Sequence, residues 1–206
     1  MKTCKISLMF LTIIIWSACA KVYYSPEAEK ASLQHKIIAV IPPRVSIPPQ
    51  KNLTADELNQ MSVKESEAFQ YGMVSWLLKR KAENKIGVDI LDATTTFAKI
   101  NNETSNKMLT PVEMAEILDV DAVITSNFKL TKPMSTGAAV ATTLLFGFGT
   151  TNEIVVTMEL HDRQSKKMIW NFNHSLSGGL FSSSDQLVTE IMRIASKKLP
   201  YTKYKK

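Results

Sequence analysis

Residues 111–130 read PVEMAEILDVDAVITSNFKL, and this stretch decides the fold class. Thr110, just before it, is a good helix N-cap, Pro111 suits the first helical position, and Glu113 completes a capping box. From Asp121 the apolar side chains change to alternate spacing, and Val, Ile, Thr and Phe are residues that favour strands. The sequence therefore predicts a short helix that leads directly into a strand.

Upstream of this unit, the sequence predicts a strand and a long helix. Residues 36–41, KIIAVI, form a nearly continuous apolar run that a Pro-Pro pair stops, which is typical of a strand buried on both faces. Thr54 and Glu57 form a second capping box, and an apolar stripe at helical spacing follows over residues 58–80. Residues 88–91, VDIL, predict a further short strand.

Downstream of it, two alternating runs predict an antiparallel hairpin around the polar turn 162–167. The apolar members on its buried side are Ile154, Val156, Met158, Leu160, Met168, Trp170, Phe172 and Leu176. A final helix follows, which Pro200 is expected to end. The predicted class is α/β: a mixed sheet of about five strands with helices packed on it, and a C-terminal β-hairpin plus helix.

The first residues have the pattern of an export signal. A positive start and a short apolar core precede Ser17-Ala18-Cys19, so residues 1–18 are predicted to be a lipoprotein signal peptide with Cys19 as the lipidated residue. The competing interpretation is ordinary cleavage after Ala20, because Ala18-Cys19-Ala20 also has small residues at the required spacing. Lipidation attaches several acyl chains, and two or more are enough for stable anchoring to a membrane.

Composition narrows the classes of function. The formal net charge is +6, and removal of the signal peptide takes two lysines with it, so nucleic-acid binding is not indicated. Cys4 leaves with the signal peptide, so Cys19 is the only other cysteine and no intrachain disulfide can form. The expected division is a tether at 19–34, one α/β domain at 35–200 and a basic tail at 201–206.

An uncharged segment interrupts this domain. Residues 133–152 contain no charged side chain, and an apolar insertion is assigned within them at 134–150. The plain interpretation is a loop or short helix packed on the sheet, and the sharper one is an exposed element that meets a partner subunit or enters the bilayer. The candidate interaction residues are Val140, Leu144, Leu145, Phe146 and Phe148, since aromatic anchors dominate the energy of interfaces.

A search for catalytic or metal-binding residues yields no site. His35, His161 and His174 are too widely spaced to indicate a metal centre. Asp119 and Asp121 form an Asp-x-Asp pair that could hold a cation, but a structural role at a helix end and strand start is favoured. No nucleophile, base and orienting group can be assembled, so no catalytic residue, metal or cofactor is assigned.

Three phrases give the chain a family resemblance. Residues 38–42 (IAVIP), 115–126 (AEILDVDAVITS) and the pair 158–162 (MELHD) and 167–170 (KMIW) occur in this order. In that order they resemble bacterial envelope lipoproteins with the TolB amino-terminal-domain fold, such as the curli-secretion channel lipoprotein and the penicillin-binding-protein activator lipoproteins. The resemblance spans about residues 36–200 and implies a protein that works by binding rather than by catalysis.

The expected function follows from the signal-peptide pattern and the family resemblance. The chain is predicted to be a non-enzymatic envelope lipoprotein that acts as an interaction or assembly module with an envelope protein partner. The outer membrane, on its periplasmic side, is favoured because Ala20 rather than Asp follows Cys19. The alternative is a homo-oligomeric pore or secretion-channel component.

Overall fold

A computed structural model describes residues 20–49, 53–104, 108–130, 153–177 and 184–204. The strands are β1 (Lys21–Tyr24), β2 (Ile37–Val40), β3 (Arg44–Ser46), β4 (Asp89–Ile90), β5 (Ala122–Leu130), β6 (Glu153–Asp162) and β7 (Lys167–Ser177). The helices are α1 (Ala28–Gln34), α2 (Ala55–Ala82), α3 (Ala93–Thr104), α4 (Pro111–Leu118), α5 (Ser184–Ala195) and α6 (Pro200–Lys203), with a 3-10 turn at Ser196–Lys198. The predicted α/β class is confirmed.

The seven strands form one mixed sheet in the order β1-β7-β6-β5-β2-β4, with β3 also beside β5. The strands β2, β3 and β4 lie in the parallel part, and β5, β6, β7 and β1 pair antiparallel. The sheet has more strands than the five expected, because β1 and β3 were not recognised as strands from the sequence.

Two prolines explain why β2 and β3 are separate strands along the same edge of β5. The Ile41 N–H still donates to the Ile124 carbonyl at 2.9 Å. Pro42 and Pro43 have no N–H to continue the ladder, so the pairing stops there. It resumes with Arg44 opposite Asn127 after a register change of one residue.

One face of the sheet packs against α2 and α5. The capping box predicted at Thr54 and Glu57 is present at the start of α2. Trp170 and Phe172 are fully buried on this side, and the rings of Phe69 and Phe128 lie 4.5 Å apart between centroids. The larger of the two hydrophobic clusters therefore lies between the sheet and this helix pair.

The helices α3 and α4 cover only part of the opposite face. The second capping box, at Thr110 and Glu113, begins α4 as the sequence predicts. A smaller apolar cluster lies between these helices and the sheet, formed by Ala39, Ile41, Ile100, Ala115, Leu118, Val120 and Val123. It reaches over β2 and the start of β5, and leaves the rest of this face without a described helix.

The expected tether at 19–34 is wrong for the residues that the structure describes. Residues 20–34 contain β1 and α1, and β1 pairs with β7 over its full length. Val22 and Tyr24 pack against the main core, and the Tyr24 hydroxyl donates to the Lys198 carbonyl at 2.6 Å. The strand is held in place because every second side chain, Val22 and Tyr24, is largely apolar and packs against the core.

The expected end of the chain also needs correction. Pro200 does not end the last helix but begins α6, where its missing N–H is not needed. Lys203, assigned to a free basic tail, lies over the ring of Tyr24 at 3.8 Å from the centroid. Residues 200–204 therefore pack against β1 instead of extending into solvent.

The predicted hairpin is confirmed as β6 and β7, with one irregularity. The pairing changes register between Leu160 and His161. As a result Ile169 is fully buried next to Trp170, whereas Met168, expected on the buried side, is only half-buried. A bulge of this kind shifts which side chains face the core.

Candidate binding surface

Side chains that are polar, with the exception of Val155, occupy the half of the sheet that no described helix covers, which we call the open face. Its members are Thr125, Asn127 and Lys129 of β5; Val155, Thr157, Glu159 and His161 of β6; and Asn171, Asn173 and Ser175 of β7. All are half-buried or exposed, while the residues between them point into the core. Strict alternation along three antiparallel strands produces this division, because successive side chains point to opposite faces.

A chain of hydrogen bonds orders the centre of the open face. The Thr157 hydroxyl donates to Asn173 Oδ1 at 2.7 Å, and Asn173 Nδ2 donates to Asn171 Oδ1. Asn171 Nδ2 then donates to Glu159 Oε1 at 3.2 Å. His161 Nε2 donates to the other Glu159 oxygen at 3.0 Å. An amide has two N–H groups and two lone pairs, and these bonds use one of each on Asn171 and on Asn173, so the surface is pre-ordered and has the capacity to bind further polar groups.

A groove of about 430 Å³ crosses one side of the open face, next to the start of α4. Its floor is polar, and its apolar wall is formed by Ile41, Pro42, Leu109, Pro111 and Met114. Arg44 and Lys129 also line it, and among the described residues neither makes an ion pair. A groove with an apolar wall, polar floor and two cations suits a binding surface more than a reaction centre.

The residues assigned from the sequence to lipidation and interaction do not enter this surface. Cys19 and the candidates Val140, Leu144, Leu145, Phe146 and Phe148 lie outside the described residues. Their roles stay predictions. The open face was not recognised as a site from the sequence, although the polar half of the hairpin alternation was the signal that could have shown it.

Asp119 and Asp121, which form the Asp-x-Asp pair, both have structural roles. Asp121 Oδ2 accepts the backbone N–H groups of Lys36 and Ile37, at 2.6 and 3.0 Å, at the start of β2. Asp119 ends α4 in the left-handed conformation, with φ of 53°, and accepts from Arg163 Nη1 at 2.8 Å. Both carboxylates are thus engaged by the protein itself.

His35 joins a buried trio that could not be recognised from the sequence. Its Nε2 lies 2.7 Å from Asp162 Oδ1 and its Nδ1 lies 2.7 Å from the Tyr201 hydroxyl. The other Asp162 oxygen accepts the Ser165 backbone N–H at 2.6 Å. His35 comes from a position more than a hundred residues away from the other two side chains, so no local spacing could reveal the trio.

The electrostatics of the trio favour a structural role. Burial acts to raise the pKa of Asp162, but hydrogen bonds from Ser165 and His35 outweigh burial and hold that pKa below its usual value. Burial, together with the nearby carboxylates, raises the pKa of Tyr201 well above the ordinary value. Tyr201 therefore keeps its proton. Because the Asp162 carboxylate accepts the His35 Nε2–H, His35 Nδ1 is left to accept a hydrogen bond from the Tyr201 hydroxyl. None of the three side chains lines the groove.

Two further features bear on function in the part of the chain that the structure describes. There, no group of three or more His, Cys, Asp or Glu side chains is placed to hold a metal ion. No described helix combines the length and the apolar character needed to cross a bilayer.

Comparison with known proteins gives similarity of fold only. No family model and no curated protein matches the sequence. Among solved structures, the chain is similar to the lipoprotein GNA1162 from Neisseria meningitidis, with 16% identity over 79% of this chain and 96% of that chain, and a TM-score of 0.43.

Two more solved structures show the same level of likeness. The PelC dodecamer from Paraburkholderia phytofirmans is 13% identical over 88% of this chain and 96% of its own, with a TM-score of 0.43. The C-terminal domain of LpoB from Salmonella enterica is 13% identical over 69% of this chain and 82% of its own, with a TM-score of 0.33. One of these three structures is described as a lipoprotein. At such scores the likeness is one of general outline and says nothing about partners or assembly.

Proposed function

We propose that this chain is a lipid-anchored lipoprotein of the bacterial cell envelope that acts as a non-catalytic binding module. The open face is the surface that it offers to an envelope protein partner. The observation that carries the proposal is the position of β1, since the sheet begins two residues after the lipidation candidate Cys19. An anchor at Cys19 would hold the ordered polar surface beside a membrane, with no tether between them. The proposed location is the periplasmic side of the outer membrane.

The arrangement of buried polar groups supports binding rather than catalysis. A nucleophile must reach its substrate, but the one His-Asp-Tyr trio among the described residues is packed inside the domain. His35 and Asp162 have side chains only 5% exposed, and Tyr201 is 5% exposed. The open face, in contrast, carries its polar groups at the surface and holds them with mutual hydrogen bonds. Such pre-ordering lowers the entropy that is lost when a partner binds.

Site-specific photo-crosslinking of the full-length protein in cells tests the partner surface. A photoreactive residue at Thr125 or His161 on the open face should give a defined crosslinked product. The same residue at Lys64 or Glu67, both exposed on the outer side of α2, should not. Equal crosslinking from both pairs of positions would contradict the choice of surface.

The apolar segment supplies a second contact in this proposal, through Val140, Leu144, Leu145, Phe146 and Phe148. Phe146→Asp combined with Phe148→Asp should weaken partner crosslinking or membrane association at unchanged thermal stability. Unaltered behaviour of this variant would remove the segment from the proposal and leave the open face standing.

The homo-oligomeric channel remains the second candidate function. We expect the uncharged segment between β5 and β6 to be the part of the chain that would join subunits. The intact mass of the acylated protein in mild detergent separates the two functions. A large ring-like mass, with crosslinks from chain to identical chain, would support the channel; an acylated monomer would support the binding module.

A further inference from the structure

We propose that one end of the sheet rests on the membrane, where Lys21, Arg44 and Lys129 bind the phosphates of anionic phospholipid headgroups. This inference rests on the proposed anchoring at Cys19 and adds to it the surface that meets the bilayer. It also fixes how the open face is oriented: its basic end lies against the lipid, and its hydrogen-bonded centre points away.

The proposed anchor and the sheet are very close together in the chain. Lys21 begins β1 only two residues after Cys19. Because consecutive Cα atoms are about 3.8 Å apart, the Cα of Lys21 lies within about 8 Å of that of Cys19 in any conformation. The headgroup layer on each side of the hydrocarbon core is itself roughly 5–8 Å deep. An acylated Cys19 therefore holds the start of β1 at the level of the headgroups.

The pairing of the strands shows which residues lie in the same row as Lys21 across the sheet. Lys21 pairs with Asn173, Asn173 with Thr157, Thr157 with Asn127, and Asn127 with Arg44. Paired residues point to the same face, so Lys21 and Arg44 mark the two ends of one row on the open face. Neighbouring strands are about 4.8 Å apart, so four steps span about 19 Å.

Lys129 lies beyond this row, toward the anchored end. It follows Asn127 by two residues on β5 and therefore shares its face. The end of β5, the start of β6 and the end of β7 coincide in the register, and the start of β1 points the same way. All three cations thus lie near one end of one face.

Charge on this end suits an anionic surface. Lys21, Arg44 and Lys129 are all exposed, and none makes an ion pair within the described part of the chain. Glu159 is one step further from the anchor and already accepts hydrogen bonds from its neighbours. Glu153 begins β6 at the same end. Lys and Arg held near an anionic bilayer are each attracted to it, and salt weakens the attraction.

The position of a single label on the acylated protein tests the orientation. Lipid attachment consumes the sulfur of Cys19, so one introduced cysteine is the unique thiol. Val155→Cys lies in the row of Lys129 and is 39% exposed, whereas Gln164→Cys lies in the hairpin turn at the other end. In phosphatidylcholine vesicles that contain phosphatidylglycerol, nitroxide headgroups should quench a fluorophore at position 155 strongly and one at 164 hardly at all. Stronger quenching at 164, or equal quenching, would overturn the orientation; Asn127→Cys repeats the test if Val155→Cys fails to fold.

Charge variants test the headgroup contact on the same labelled protein. Replacing Lys21, Arg44 and Lys129 by Gln should reduce quenching at position 155 in phosphatidylglycerol vesicles to the level in pure phosphatidylcholine. Each cation near an anionic bilayer contributes roughly fivefold, so loss of all three should lower the preference for anionic lipid by roughly a hundredfold. Quenching that is unchanged in the triple variant would overturn the contact.

Two controls show whether the contact belongs to these three cations and to lipid phosphate. Replacing Lys30 and Lys64, which are exposed elsewhere, by Gln should leave quenching unchanged. Inorganic phosphate should act no differently from chloride at equal ionic strength, and a specific reversal by phosphate would mean that the cations bind free phosphate instead. The intact mass distinguishes this inference from the proposed function, because a missing acyl mass overturns both, whereas an acylated protein with the wrong quenching pattern overturns the orientation alone.

Discussion

Removal of the Asp162 carboxylate should lower the stability of the fold. It accepts from both His35 and the Ser165 backbone N–H, and its side chain is 5% exposed. Asp162→Asn keeps the shape but loses a charged acceptor, so the free energy of unfolding should fall by about 1.5–3 kcal/mol. Urea denaturation measures this change. Asp119→Asn is the matched control and should change stability by less than about 0.5 kcal/mol, because that carboxylate is exposed.

His174 should make stability depend on pH. Burial lowers the pKa of His174, and the nearby Glu190 carboxylate opposes this shift without reversing it. Below the unfolded pKa of about 6.5, the unfolded chain takes up a proton that the folded chain takes up only at lower pH. The free energy of unfolding should therefore fall as pH drops from about 6.5 toward the folded pKa, and this loss is absent above about pH 7. His174→Gln should make the urea midpoint less dependent on pH over this range; an unchanged dependence would assign it to another group.

At the scale of elements, the contact between α2 and α5 depends on a glycine. A Cβ added at Gly72 would lie 2.8 Å from Val188 Cγ1, although the helix would gain about 1 kcal/mol of propensity from alanine. We expect Gly72→Ala to destabilise by about 1–2 kcal/mol, since a packed interface must move apart. Val188→Ala in the same chain should restore part of the loss. A thermal melting series measures both.

Gly87 provides the comparison for that prediction. A Cβ there would meet no atom within 4 Å. Gly87→Ala should be neutral or stabilise by up to about 1 kcal/mol, because the unfolded chain loses freedom. If Gly72→Ala and Gly87→Ala behaved alike, close approach of the two helices could not be the reason for Gly72.

The sequence correctly predicted the features that depend only on residues close together in the chain. The capping boxes predicted at Thr54 and Thr110 are confirmed. An N-cap residue and its partner three residues later satisfy the N–H groups at the helix start, so no tertiary contact is needed. The bulge that buries Ile169 could not be predicted, since it depends on how β6 and β7 pair. The open face likewise follows from which half of the sheet α3 and α4 leave uncovered, and the trio of His35 depends on contacts between distant segments.

At the scale of the whole molecule, β1 joins the two ends of the described chain. Tyr24 donates to the Lys198 carbonyl, meets the Tyr204 ring at 6.1 Å between centroids, and lies under Lys203. Tyr24→Ala should lower the free energy of unfolding by about 2–3 kcal/mol. Tyr23→Ala, one residue away and 49% exposed, should cost less than about 0.5 kcal/mol. Similar small losses for both would mean that β1 is not held by this contact.

The pairing of β1 with β7 also has a consequence for biogenesis. The two strands are about 150 residues apart in the chain, so β1 cannot join the sheet until almost all of the polypeptide is present. Under the proposed anchoring, the enzymes that would cleave and acylate the chain at Cys19 therefore meet it before β1 is paired. Once β7 is in place, β1 becomes a strand next to the lipid. Maturation is thereby expected to precede completion of the sheet, and the last folding step would draw the domain toward the membrane.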